Sequence, residues 1–364
     1  MKHIISVSLF VFIYIFSFSQ EAQDTINANY GQEADIDTSS TLIAVADQEA
    51  EIAYNEGIEK FKAGKYREAI LKFNTAIDFK PEFALAYSNR GSVKAELKEF
   101  SNAISDYDAA LRIDPELSNV YFNRGFAKFS LKKYKEAEQD FKIAIEKNYK
   151  EANVYYYSGV SKFLTNDYRN AVGDFTQAIY LKPDYTYAFH DRGSAKRQIE
   201  DYDGAIADYI QAIKLNPKFA VAYNNMGSAK RKKGDYNGAI SDFDLAIKLK
   251  PDYYMAYNNR GLTKYELKDY EGAIKDFKKA IFHKKDYYFA HNNIGIIRMK
   301  QEEYEAAIKA FTQAIRINSQ YSSAYFNRGN AKEMMRDPNG ACADWQKALE
   351  LGIKTATRFL SDCK

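Results

Sequence analysis

Glycine recurs every 34 residues along most of this chain. Nine glycines keep this spacing without a slip: Gly57, Gly91, Gly125, Gly159, Gly193, Gly227, Gly261, Gly295 and Gly329. A fixed period of roughly 20–50 residues is typical of an array of small repeats that bury their apolar faces against their neighbours. The spacing therefore predicts a solenoid of nine repeats rather than a single globular core.

Each repeat has the pattern of two helices. With the recurring glycine as position 8, positions 20 and 27 are alanine in all nine repeats, and position 24 is always aromatic. Position 17 is aromatic in eight repeats. Positions 4, 8 and 11 then share one face of a first helix, and positions 20, 24 and 27 share one face of a second. Proline at position 32 in five repeats ends the second helix.

This pattern resembles the tetratricopeptide repeat family, whose signature is an aromatic residue at position 4, Gly at 8, aromatics at 17 and 24, Ala at 20 and 27, and Pro at 32. The resemblance covers residues 48–355. It implies an all-α fold, a right-handed superhelical solenoid of nine helical hairpins whose first helices face a concave groove. The ninth repeat departs at position 17, where Pro338 follows Asp337.

The start of the chain predicts export. Residues 1–19 have a basic Lys2, an apolar run of about 15 residues, and Ser17 and Ser19 where a signal peptidase needs small residues. The run is shorter than the roughly 20 residues of a membrane span. We predict a signal peptide and a mature chain, from Gln20, in the periplasm or outside the cell. An uncleaved membrane anchor is the alternative.

Residues 20–47 are acidic and contain neither Lys nor Arg. Their charges repel one another and they offer little apolar surface to bury, so we predict a flexible linker. Residues 41–46 are more apolar and could extend the first helix backwards. Over the whole chain 52 basic residues balance 49 acidic ones, for a formal net charge of +3. This balance gives no basic stripe of the kind that binds nucleic acid.

Two helix positions carry opposite charges in most repeats. Position 11 is basic in all nine repeats, position 7 is Arg in five, and position 23 is Asp in seven. Where position 7 is not arginine, position 23 changes with it in two repeats: Glu56 goes with Lys72, and Ile294 with Ala310. We predict ion pairs between the two helices of each hairpin: Arg90–Asp106, Arg124–Asp140, Arg192–Asp208, Arg260–Asp276 and Arg328–Asp344. A basic row that binds phosphate or nucleic acid is the alternative, and the matched acids argue against it.

The resemblance places positions 2, 5, 6, 9, 12 and 13 in the groove. Position 6 is asparagine in seven repeats, including Asn89, Asn123, Asn225, Asn259, Asn293 and Asn327. An asparagine amide both donates and accepts hydrogen bonds, so a row of them could hold an extended peptide backbone. The alternative is that this asparagine belongs to the family's consensus, whatever the array binds.

A second groove feature is an aromatic set in repeats three and four: Phe122, Phe126, Phe129, Tyr156, Tyr157 and Phe163. Exposed apolar patches often mark interaction sites. Farther along, Arg197, Arg231 and Lys232 make the groove basic. We expect a partner segment with an apolar anchor and an acidic portion, unless the acidic linker or packing within the array covers the aromatic set.

Other functions find little support. The clamp by which chaperone-binding members of the family hold a terminal carboxylate needs Lys at position 5, and no repeat has it. No pair of histidines has metal-ligand spacing on one helix, and no phosphate-binding glycine loop occurs. No two carboxylates stand apart as an acid and a base. We predict a non-catalytic chain without metal or cofactor.

The only two cysteines, Cys342 and Cys363, lie near the end of the chain. In an exported protein an even number of cysteines favours a disulfide. Cys363 falls where a tenth glycine would stand, so residues 356–364 are predicted to be a capping helix over the apolar end of the array. The alternative is two unrelated thiols.

Together these features predict an exported scaffold that binds an extended peptide or a helix of a partner protein in the groove. The alternative function is a structural component of the cell envelope that acts through its convex face or by self-association.

Overall fold

A computed structural model describes residues 38–361 and 363, and all regular structure among them is helical. The predicted signal peptide and residues 20–37 of the predicted linker lie outside the described residues. The described residues divide into two compact units, those up to Pro183 and those from Asp184, here called the N-terminal and C-terminal units.

The described part of the N-terminal unit consists of four helical hairpins. Their helices are α1 (Thr38–Lys62), α2 (Tyr66–Phe79), α3 (Ala84–Glu96), α4 (Phe100–Ile113), α5 (Ser118–Ser130), α6 (Tyr134–Glu146), α7 (Ala152–Leu164) and α8 (Tyr168–Leu181). The first helix begins at Thr38, so residues 38–47 belong to α1 rather than to a linker.

The C-terminal unit contains five more hairpins and a short end. Its helices are α9 (Thr186–Gln198), α10 (Tyr202–Leu215), α11 (Ala220–Lys233), α12 (Tyr236–Leu249), α13 (Tyr254–Glu266), α14 (Tyr270–His283), α15 (Tyr288–Lys300), α16 (Tyr304–Ile317), α17 (Ser322–Met334), α18 (Pro338–Glu350) and α19 (Thr357–Leu360). A 3₁₀ turn, Lys354–Ala356, precedes α19. The predicted all-α array of nine helical hairpins is confirmed.

The turn inside each hairpin is made by two neighbouring positions. Position 15 has a left-handed backbone in every hairpin, as at Gly234 with φ of 88° and Lys98 with φ of 62°. In five hairpins an Asp at position 16 then caps the second helix; the Asp235 side chain accepts a hydrogen bond from the backbone N–H of Gly238 at 2.9 Å. This cap satisfies one of the free N–H groups at the helix start.

The core of each hairpin is the contact of the position 8 glycine with the position 24 ring. A Cβ atom on Gly227 would lie 2.9 Å from the ring of Phe243 and 3.0 Å from the carbonyl oxygen of Ala239. The ring of Phe243 is fully buried, as are Ala239 and Ala246 at positions 20 and 27. A side chain at position 8 would push the helices apart, which explains the invariant glycine.

The end of the array is covered by a short segment that a disulfide holds in place. Cys342 on α18 is bonded to Cys363, 21 residues later. The ring of Phe359 packs 5.0 Å from that of Trp345 and 5.4 Å from that of Phe326. The disulfide is thus present, and the cap contains a 3₁₀ turn and one helical turn.

Substitutions at two glycines of the fourth hairpin distinguish the effect of close packing on stability from the effect of helix propensity. Gly159→Ala would place a Cβ atom 2.9 Å from the Phe175 ring, so we expect the free energy of unfolding to fall by about 1–3 kcal/mol. Gly173→Ala meets no atom within 4 Å, so the better helix propensity of alanine should leave stability equal or higher. Urea denaturation followed by circular dichroism measures both. Equal effects of the two changes would contradict this account of the spacing.

The disulfide should stabilise the array by closing a loop. Replacing both cysteines by alanine, C342A/C363A, is expected to lower the free energy of unfolding by about 3 kcal/mol. A reducing agent should lower the melting temperature of the wild type and leave that of the variant unchanged. A wild type insensitive to reduction would show that the bond contributes nothing.

Candidate functional site

The predicted groove residues lie on the side of each unit formed by its first helices. We call this side the first-helix face; it is built from α1, α3, α5 and α7 in the N-terminal unit and from α9, α11, α13, α15 and α17 in the C-terminal unit. Neighbouring first helices contact one another within each unit, and neighbouring second helices do so less. The first-helix face is therefore the inner side of each unit.

The predicted ion pairs join the two helices of a hairpin. Arg260 donates hydrogen bonds from Nε and Nη2 to the two carboxylate oxygens of Asp276, at 2.8 and 2.5 Å. Lys264 Nζ lies 2.8 Å from Asp276 Oδ2. Asp276 is only 2% exposed, and this paired geometry compensates for its loss of water. The same bidentate contact occurs in four other hairpins: Arg90–Asp106, Arg124–Asp140, Arg192–Asp208 and Arg328–Asp344.

Arg90, Arg124, Arg260 and Arg328 also bond a residue of the preceding hairpin, a contact that the pairing within one repeat does not predict. Arg260 Nη1 donates to Asp244 Oδ1 at 2.5 Å, and Arg124 Nη1 donates to Asp108 Oδ1 at 2.7 Å. Arg90 and Arg328 make the same contact with Asn74 and Thr312. These acceptors stand at position 25. The sequence contains a sign of this contact. Where a hairpin lacks the position 7 arginine, position 25 of the preceding hairpin is a lysine or an isoleucine: Lys142, Ile210 or Lys278.

Three hairpins pair their charges differently. In the first, Lys72 contacts Glu56, with the charges exchanged. In the fourth, the Ser158 hydroxyl donates to Asp174 at 2.6 Å in place of arginine. In the sixth, Met226 replaces arginine, and Asp242 Oδ2 lies 2.8 Å from Lys230 Nζ without the alignment of a hydrogen bond. Asp242 is thus buried with one cation instead of two.

The position 6 asparagines of the C-terminal unit form a fixed row on the first-helix face. Each Nδ2 donates to a position 5 oxygen of the preceding hairpin at 3.0–3.1 Å: Asn259 to Asn224, Asn293 to Asn258, and Asn327 to Asn292. Among the described residues nothing donates to the Oδ1 atoms of Asn259, Asn293 and Asn327. We call these three side chains the amide row. In the N-terminal unit, Asn89 donates to the Tyr54 hydroxyl at 2.8 Å, and Asn123 is half-buried.

The amide row is preceded by a buried histidine. Asn225 Nδ2 lies 3.0 Å from His190 Nε2, and Asp191 Oδ1 lies 2.8 Å from His190 Nδ1. Because Asn224 donates to Asn225 Oδ1, the Asn225 amide nitrogen faces the ring. Nε2 therefore accepts, and Nδ1 carries the proton that bonds Asp191. This histidine has a structural role as a hydrogen-bond link.

The predicted aromatic patch is mostly buried, which corrects its interpretation as an exposed surface. Phe122, Phe129, Tyr156 and Tyr157 are all less than 10% exposed, and burial raises the pKa of Tyr157 to about 12. Tyr157 stands at position 6 in place of asparagine, and its ring packs against Phe122, Phe126 and Phe129 at 4.9–6.4 Å. Only Phe126 and Phe163 are half-buried.

The predicted basic residues of the groove differ from the paired cations. Arg197 and Arg231 are half-buried at position 12, and Lys232 is exposed at position 13. The Nε atoms of both arginines are buried and have no hydrogen-bond partner among the described residues.

Models of known protein families match most of the hairpins of this chain. Models described as "TPR repeat" or "Tetratricopeptide repeat" match residues 57–98, 84–117, 118–150, 193–230, 227–268, 256–281 and 288–321. The matches cover more than half of the chain. It belongs to the tetratricopeptide repeat family. A search of curated proteins gives no significant match.

Several solved structures are similar to this tetratricopeptide repeat protein. The Cut9–Hcn1 hetero-tetramer of APC/C is similar over 86% of this chain and 75% of its own, with 14% identity and a TM-score of 0.54, and this likeness shows the fold alone. YrrB, described as a TPR protein with an unusual peptide-binding site, is 24% identical over 50% of this chain and 95% of its own, with a TM-score of 0.49. MamA is 27% identical over 47% of this chain and 94% of its own, with a TM-score of 0.40.

Two further observations concern residues 38–361 and 363 of this tetratricopeptide repeat protein. None of their helices combines the length and the apolar character that crossing a bilayer requires. No group of three His, Cys, Asp or Glu side chains among them could hold a metal ion.

Neutralising Asp242, which has one cation partner, and neutralising Asp276, which has two, should change the free energy of unfolding in opposite directions. Burial raises the pKa of Asp242, and Lys230 offsets this only in part. A carboxyl with a higher pKa in the folded state loses stability as pH rises from its unfolded pKa, about 3.9, through its folded pKa. Asp242→Asn is therefore expected to raise the free energy of unfolding at pH 7. The gain should shrink as the pH is lowered toward 4.

Asp276→Asn is the matched control, because Asp276 has both an arginine and a lysine partner. Its neutralisation leaves Lys264 without a carboxylate and Arg260 with Asp244 alone, and should cost about 3–5 kcal/mol at pH 7. Urea denaturation of both variants between pH 5 and 7 measures the difference. A loss of similar size in Asp242→Asn would show that Lys230 alone compensates Asp242.

Proposed function

We propose that this protein is a non-catalytic scaffold whose C-terminal unit binds an extended segment or a helix of a partner protein on its first-helix face. The amide row carries the proposal. Asn259, Asn293 and Asn327 repeat one orientation over three successive hairpins, each held by a hydrogen bond from its own amide nitrogen.

This arrangement suits the recognition of a main chain. The bonds to Asn224, Asn258 and Asn292 fix the side chains before a partner arrives, so less side-chain entropy is lost on binding. The free Oδ1 atoms can accept hydrogen bonds from backbone N–H groups, which every residue except proline offers. Binding of this type fixes the path of a segment without reading its side chains.

We also propose that the protein acts outside the cytoplasm, in the periplasm or the extracellular space. The signal-like residues 1–19 support this location. The Cys342–Cys363 disulfide supports it independently, because structural disulfides persist in oxidising compartments.

A second candidate function is assembly through the second helices. Phe282 on α14 is 73% exposed and adjoins a shallow pocket lined by Ile274, Lys275, Lys278 and Lys279. An exposed ring of this size is a common contact in protein interfaces. Loss of self-association, or of captured partners, in Phe282→Ser would favour this function over the first.

The amide row can be tested by affinity capture from cell-envelope extracts. The triple variant N259A/N293A/N327A is expected to bind partners at least tenfold more weakly, because it removes the oriented acceptors. A control variant, N237A/Q211A/Q313A, removes three exposed amides from second helices of the same unit and should capture as the wild type does. Circular dichroism confirms that both variants fold. Equal capture by wild type and N259A/N293A/N327A would contradict the proposed site.

A further inference from the structure

Position 12 of the first helix is arginine in only two hairpins, and these are neighbours. Arg197 lies on α9 and Arg231 on α11, both in the C-terminal unit. Six of the other seven hairpins have an apolar or aromatic residue at this position: Phe61, Ala95, Phe129, Phe163, Tyr265 and Met299. Two guanidinium groups thus occupy places where the fold accommodates side chains without charge.

Neither arginine is compensated as the other half-buried arginines are. Arg192, five residues before Arg197, bonds both oxygens of Asp208, and Lys230, next to Arg231, contacts Asp242. In the part of the chain that the structure describes, no acid lies within ion-pair distance of Arg197 or Arg231. Their Nε atoms are buried without an acceptor, which costs free energy because each N–H group has lost water and gained no hydrogen bond.

The surrounding charges do not remove this cost. Glu266 on α13 attracts Arg231 from beyond ion-pair distance, while Arg197 repels it. Burial and this repulsion lower the pKa of Arg231. Asp191, the other acid on this part of the face, is hydrogen-bonded to His190. Arg197 also interacts with the hydroxyl of Tyr209, whose pKa burial raises, so this group brings no negative charge. The two arginines therefore form a positive site that no carboxylate of the described residues pairs.

We propose that Arg197 and Arg231 form a subsite for a carboxylate of the bound segment, so that the partner is an acidic peptide. This inference rests on the function proposed above and adds the chemistry of the partner. A guanidinium group bonds a carboxylate through two parallel N–H groups, and such charge-assisted pairs are stronger than hydrogen bonds between neutral groups. Lys232, exposed beside Arg231, adds positive charge at the rim.

The subsite also suits its place on the face. Asn225, at position 6, lies on α11 together with Arg231. The amide row begins at the same position of the next first helix, α13. A segment held by its main chain along the amide row can therefore extend toward the two arginines within the same unit. Main-chain contacts would supply affinity, and the carboxylate contact would supply selectivity.

A synthetic library of dodecapeptides, selected on the purified protein and read by mass spectrometry, tests the inference. The wild type is expected to retain peptides enriched in Asp or Glu at one fixed place. The variant R197M/R231M should retain peptides without this enrichment. The control K214M/K248M removes two exposed charges from the second helices of the same two hairpins and should select as the wild type does.

One selected peptide then measures the contact directly. Exchange of its acidic residue for the amide, Glu to Gln, should weaken binding to the wild type at least tenfold and leave binding to R197M/R231M unchanged. If amidation of the peptide's end has this effect instead, the two arginines bind the terminal carboxylate, and the inference that the partner is an acidic peptide is overturned.

The remaining outcomes separate the two proposals. Acidic enrichment that persists in R197M/R231M would overturn the subsite and leave binding on the first-helix face intact. If no protein, wild type or variant, retains any peptide, the proposed function itself fails. R197M/R231M should melt no lower than the wild type, since it removes unpaired buried donors; a lower melting temperature would assign the arginines a structural role and overturn the inference.

Discussion

The contact between a glycine on the first helix and a ring on the second sets the distance between the helices of every hairpin. At Gly227 there is no room for a Cβ atom between the backbone and Phe243. This spacing also brings position 7 close enough to position 23 for a bidentate ion pair. Because the distance is the same in every copy, a side chain at one position meets the same neighbour one hairpin later. The amide row is a consequence of that repetition.

The hairpins, their ion pairs and the disulfide could be predicted from the sequence because each depends on contacts within one repeat or on two unique residues. Contacts between repeats could not be predicted in the same way, because they depend on side chains of two different repeats. Tyr157 was predicted to face the groove, but it fills the space above the preceding hairpin because a ring reaches farther than an asparagine side chain. The hydrogen bond from Arg260 to Asp244 joins two repeats, so a pattern of charges within one repeat does not predict it. The start of α1 at Thr38 lies where composition favoured a linker.

Charge has two distinct uses in this array. At positions 7, 11 and 23, cations pair with acids inside most hairpins, as at Arg260, Lys264 and Asp276, and the pairing weakens their field around the molecule. At position 12, Arg197 and Arg231 keep their charge uncompensated. The small formal net charge of the whole chain, +3, therefore conceals a local excess of positive charge at position 12 of two neighbouring hairpins.

The arginine bond between neighbouring hairpins is not present at every junction. It joins hairpins one to two, two to three, six to seven and eight to nine, and Ser158, Met226 and Ile294 replace it at the entry to hairpins four, six and eight. In a linear array, stability depends on each repeat and on each junction with its neighbour. Thermal opening would therefore start at the entries to hairpins four, six and eight and release hairpins in blocks. Amide hydrogen exchange in such an array would change in steps at these junctions rather than smoothly from the ends.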